Sequence, residues 1–99
     1  MRDRAFVARA AAENALQRGR LAAGLRRLRL DVDPPEANFV LARFRDEAEA
    51  RACDAHLRGL GVIVRHVAAY GLPHCLRITV GDAAGVDRVL AGVAAWRAL

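Results

Sequence analysis

The chain has 99 residues, 55% of them hydrophobic and 27% charged, and a formal net charge of +5. That is one domain of sequence, long enough to bury roughly two-thirds of the surface its unfolded form exposes. No apolar run approaches the ~20 residues a bilayer-spanning helix needs, and the apolar fraction is too high for a disordered tail, so a soluble globular domain is expected.

All sixteen cations are arginine, and lysine and serine are both absent. Without lysine no side chain here can form a Schiff base, and without serine there is no serine nucleophile; Thr79 and Tyr70 are the only hydroxyl side chains. GC-rich coding accounts for the arginine and alanine excess more simply than selection for anion binding, because it touches every position. Cys53 and Cys75 are too few and too far apart for a disulfide framework or a zinc cluster, which points to a reduced, cytoplasmic setting. Cys53 and His56 are three apart on a predicted helix, but two potential ligands do not make a metal site.

In chain order, residues 1–30 are rich in alanine, leucine and arginine, contain no proline and have Asp3 placed to cap, which predicts a long helix. Leu21, Leu25 and Leu28 give it one apolar stripe. A basic, helical start also suits an organellar transit peptide, although serine is missing and Asp3 and Glu13 interrupt the pattern. The sequence "DVDPPE" stops the helix at Pro34 and Pro35, and "ANFVLARF" (37–44) then reads as a strand. A second helix follows, with Asp46 at its N-cap, glycines Gly59 and Gly61 at its end, and Ala50, Cys53, Leu57 and Leu60 as its buried stripe. "GVIVRHV" and "CLRITV" are β-branched runs on either side of "AAYGLPH", hence two further strands. Asp82 caps a last helix carrying Val86, Val89, Leu90 and Val93 at helical spacing. The predicted order is α-β-α-β-β-α, an α+β layer in which a three-stranded sheet is covered by helices, within a single domain spanning residues 1–99.

The pair Arg65 and Arg77 poses the functional question. If the strands fold back about Gly71, Arg65 lies opposite Arg77 and Val64 opposite Ile78, so Val62, Val64, Leu76, Ile78 and Val80 share an apolar face and the arginines project from the other. Opposed like charges cost a strand pair about 0.2–1 kcal/mol unless an anion lies between them. A guanidinium is suited to that anion, because its planar fork donates two parallel hydrogen bonds and keeps its proton. Spacing alone equally allows an offset register with both arginines solvated or paired to carboxylates. Tyr70, beside Gly71 and Pro73, reads as packing over the turn, and neither His66 nor His74 has a nucleophile or paired base beside it.

The stretches "PPEANFVLARF" and "LRGLGVIVRHVAAYGLPHCLRITVGD", with the helix upstream, resemble the C-terminal small domain of histidinol-phosphate aminotransferases, pyridoxal-phosphate enzymes of the aspartate-aminotransferase fold. The resemblance spans essentially the whole chain, with residues 1–30 as the helix leading into the domain and 37–99 as its core. It implies that Arg77, assisted by Arg65, binds the phosphate of histidinol phosphate or the carboxylate of glutamate, and it gives Asn38 a weaker place in the site. It also implies a role in histidine biosynthesis and a homodimer. The cofactor-bearing large domain, with its Schiff-base lysine, would lie outside this chain, which alone would be inactive. The sequence departs from the family pattern at "GDAAGVD", where Asp82 still caps, and at "PPE" before the strand. Two other readings share the same features: an autonomous anion-binding or regulatory α+β module, and a nucleic-acid-binding module suggested by the net charge. The second is opposed by Phe39 and Phe44 lying at opposite parity and by the lack of a glycine-aromatic RNA-binding motif.

Overall fold

A computed structural model describes residues 2–35, 38–60, 64–67 and 71–99, residues 2–7 by their backbone alone. Tyr70, Gly61 and Val62, to which the sequence assigns roles, lie outside the described residues. The elements run α1 (Arg2–Arg27), β1 (Asp31–Val32), β2 (Phe39–Arg43), α2 (Glu47–Arg58), β3 (Val64–His66), β4 (Cys75–Thr79) and α3 (Ala83–Arg97). The strands form one sheet in the order β1-β2-β4-β3, with every neighbouring pair antiparallel.

The fold is α+β, but the sheet has four strands, not three. The extra strand comes from "DVDPPE". Its prolines do end regular structure, yet Asp31 and Val32 precede them and keep their N–H groups, so they pair with Arg43 and Ala42, and the Asp33 N–H donates to the Leu41 carbonyl at 3.2 Å. Two residues are too short to carry a periodic signal. The first helix is also shorter than residues 1–30, and Asp3 lies inside it, not at its cap.

The end of α1 makes the room for β1. The Leu30 N–H donates to Leu25 O and the Arg29 N–H to Arg26 O, while Arg29 adopts a left-handed φ of 68°. This is a Schellman turn with an arginine where glycine is usual, and its apolar contact joins Leu25 and Leu30, both buried. Arg97, at the end of α3, donates from Nε to Leu28 O and from Nη2 to Arg29 O, satisfying carbonyls the helix leaves open.

The other two helices begin as their caps require. Asp46 accepts from the Glu49 N–H and Asp82 from the Gly85 N–H, each at 2.8 Å. Helix α1 packs against β1 and β2, α2 against β3 and β4, and α3 against α1 and α2. The core lies between helices and sheet: Val40, Ala42, Leu76 and Ile78 meet Leu21, Leu25, Ala50, Cys53, Leu57, Val86 and Val93. Leu60 is not part of this core; it falls beyond the end of α2 and is exposed. A Cβ added to Gly92 would stand 2.8 Å from Leu57 Cδ2, so the glycine is what lets α2 and α3 approach this closely. All the helices lie on one side of the sheet, and the other side carries the side chains of alternate strand residues: Phe39, Leu41, Arg43, Arg65, Cys75, Arg77 and Thr79.

Candidate functional site: an arginine pair on the open sheet face

The β3–β4 hairpin sets Val64 opposite Ile78 and Arg65 opposite Arg77. Two local features hold that register. Gly71 takes a φ of 80°, which a side chain would strain, and the ring Nε2 of His66 lies 2.6 Å from the Pro73 carbonyl, pinning the connection to the strand. His66 Nε2 therefore donates to backbone, a structural role.

On its other edge β4 pairs with β2, which puts Leu41 beside Arg77 and Phe39 beside Thr79. One row across the open face thus reads Leu41, Arg77, Arg65. The Arg77 guanidinium carbon stands 4.6 Å from the Phe39 ring centroid, on the diagonal, so the side chain leans along β4 toward Thr79. Arg65 and Arg77 are both exposed, and among the described residues neither has a carboxylate partner.

A third arginine on the same face has a different environment. Arg43 donates from Nε to Asp33 Oδ1 at 2.8 Å and from Nη2 to Asp33 Oδ2 at 3.0 Å, a two-pronged pair that spends its fork. The hydrogen bonds from Arg43 hold the Asp33 carboxyl below its ordinary range, and Asp33 in turn raises the Arg43 guanidinium. The Nη1 of Arg43 lies 3.9 Å from the Sγ of Cys75, which is fully buried; that burial pushes its thiol up. Asp33, Pro34, Pro35, Phe39 and Leu41 line a cavity of about 310 Å³ on the Phe39 side of the pair.

Asn38 is exposed at the start of β2, and its carbonyl accepts the Val80 N–H at 2.7 Å. It stands at the end of the sheet toward which Arg77 leans. The sequence reading missed Phe39, Arg43 and Asp33 as neighbours of the pair. The alternation in "NFVLARF" does place Phe39, Leu41 and Arg43 on one face. Their proximity to Arg77 depends on β2 pairing with β4, and that of Asp33 on a strand of two residues. Chemically, the face offers two exposed guanidinium groups on neighbouring strands, the donor type that matches a phosphate monoester or a carboxylate.

A family model described as aminotransferase class I and II matches residues 1–93. The chain belongs to the class I and II aminotransferases. It is 57% identical over 95 residues to the histidinol-phosphate aminotransferase of Roseobacter denitrificans, covering 96% of this chain and 26% of that protein. It is 50% identical over 98 residues to that of Dinoroseobacter shibae, covering 99% and 27%. A crystal structure of an aminotransferase from Burkholderia pseudomallei superposes with a TM-score of 0.81 at 38% identity, covering 97% of this chain and 29% of that one. The chain therefore spans about a quarter of the length of the curated relatives it matches, and it is similar to one part of those histidinol-phosphate aminotransferases. Aminotransferases of this class work with pyridoxal phosphate. The chain has no lysine, the residue type that forms a Schiff base with that cofactor.

Proposed function

We propose that the chain is the C-terminal, substrate-recognising domain of a pyridoxal-phosphate-dependent histidinol-phosphate aminotransferase of histidine biosynthesis. In this reading Arg77 and Arg65 grip the phosphate of histidinol phosphate or the side-chain carboxylate of glutamate. Asn38 borders the site. The large domain supplies the lysine and most of the cofactor contacts, the enzyme is a cytoplasmic homodimer of the family type, and this chain alone does not transaminate. The cofactor, when bound, supplies the chemistry of amino-group exchange. The residues of this chain bind and orient: a doubly charged fork pair fixes one end of the substrate and so presents the amino-bearing carbon at a set distance.

The observation that carries this reading is the direct opposition of Arg65 and Arg77 on an open face, without a carboxylate between them among the described residues. Opposed cations on neighbouring strands cost about 0.2–1 kcal/mol, a cost that an anionic ligand removes. The test is a hybrid in which this chain replaces the matching region of the Roseobacter denitrificans enzyme. Supplied with histidinol phosphate and 2-oxoglutarate, the hybrid is expected to transfer the amino group to 2-oxoglutarate and release glutamate, and the separate chain to show no turnover. A hybrid that folds and takes up pyridoxal phosphate yet leaves histidinol phosphate untouched would reject the assignment.

A further inference from the structure

We propose that Phe39 is a positioning residue for Arg77, one that orients the guanidinium without consuming its hydrogen-bond donors. The inference rests on the substrate reading above and concerns how the arginine is made ready. Arg43 and Arg77 provide an internal comparison, since they occupy one face of adjacent strands. Arg43 is held by Asp33 through two hydrogen bonds, so its charge is neutralised and its fork is occupied. Arg77 is held by the face of an aromatic ring, with its guanidinium carbon 4.6 Å from the centroid. A ring face attracts a cation through its quadrupole and accepts none of the in-plane N–H groups, which stay free for a ligand.

The other neighbours of Arg77 cannot do this. Leu41, its partner on β2, has no polar atom, and Arg65, its partner on β3, repels it. An arginine in that setting would sample many rotamers, and binding an anion would require ordering it afresh. The ring itself is well anchored. Phe39 pairs with Thr79 in the sheet, the adjoining Asn38 carbonyl takes the Val80 N–H, and the half-buried side chain lines one cavity together with Asp33, Pro34, Pro35 and Leu41. Phe39 thus sits on a paired strand beneath the Arg77 guanidinium.

The test uses the hybrid enzyme described above and reads three quantities: the KM for histidinol phosphate, the inhibition constant of inorganic phosphate, and kcat. Phe39→Leu is expected to raise the first two roughly three- to tenfold, with kcat within about twofold and the unfolding midpoint unchanged. Phe39→Trp, which keeps a ring face, is expected to restore both constants to within about twofold. If Phe39→Leu disturbs folding, Phe39→Met provides a second ring-free variant of similar volume. Equal impairment by the leucine and tryptophan variants would reduce Phe39 to packing and overturn the inference. Unchanged constants in Phe39→Leu, with raised ones in Arg77→Gln, would overturn it while leaving the substrate reading in place. Unchanged constants in Arg77→Gln itself would overturn both.

Discussion

Arg43, Arg65 and Arg77 stand on one face of one sheet, and what separates them is the group each meets. Asp33 takes Arg43, a ring supports Arg77, and Arg65 stays exposed. The opposition of Arg65 and Arg77 was one of the registers the sequence allowed, and the backbone pairing about Gly71 selects it. The supporting roles of Phe39 and Asp33 were not legible there, since they follow from pairings between distant strands. The Asp33–Arg43 pair has a pH signature. The Asp33 carboxyl is depressed in the folded state, so its contribution is present above the unfolded value of about 3.9 and is lost as pH falls through the folded one. Arg43 stays protonated in both states and adds no dependence. Urea midpoints taken from about pH 5 down to pH 2.5 should therefore fall more steeply for the parent chain than for Asp33→Asn; parallel curves would contradict the pairing. Cys53 has no exposed surface, and burial pushes its thiol up to about 12. Because the thiolate is the reactive form, iodoacetamide at about pH 8 is expected to leave Cys53 unmodified in the folded protein and to alkylate it in denaturant. Rapid labelling of the native protein, read by mass spectrometry, would show otherwise.

At the level of elements, the caps at Asp46 and Asp82 and the buried stripes of the helices could be read from residue spacing, because each is set within a few residues of chain. β1 could not. It exists because α1 turns back at Arg29 and delivers Asp31 and Val32 alongside β2, a tertiary event that leaves only two residues of pattern. The same turn carries a cost. Arg29 holds a left-handed conformation that disfavours a residue with a Cβ, while the contacts made by its backbone do not depend on its side chain. Arg29→Gly is therefore expected to stabilise the domain by roughly 0.5–1 kcal/mol, net of the extra freedom glycine gives the unfolded chain. A urea titration showing a lower midpoint would mean that the arginine side chain itself supports the turn.

For the whole molecule, the described helices gather on one side of the sheet and leave the other side uncovered by helices. No helix among the described residues is long and apolar enough to cross a membrane. The family likeness extends over nearly all of the chain but only about a quarter of the length of its relatives. The net charge of +5 says little by itself; the placement of two of the cations opposite one another on the open face says more. If both act on one acidic group, their effects cannot be independent. The decisive measurement is a double-mutant cycle on the KM for histidinol phosphate in the hybrid enzyme, using Arg65→Gln, Arg77→Gln and the pair. Loss of Arg77 should raise KM by roughly tenfold or more, as expected for a charge-assisted contact, and the double variant should lose less than the product of the single losses. Single variants with unchanged KM, or losses that simply multiply, would mean that the two guanidinium groups do not share a ligand.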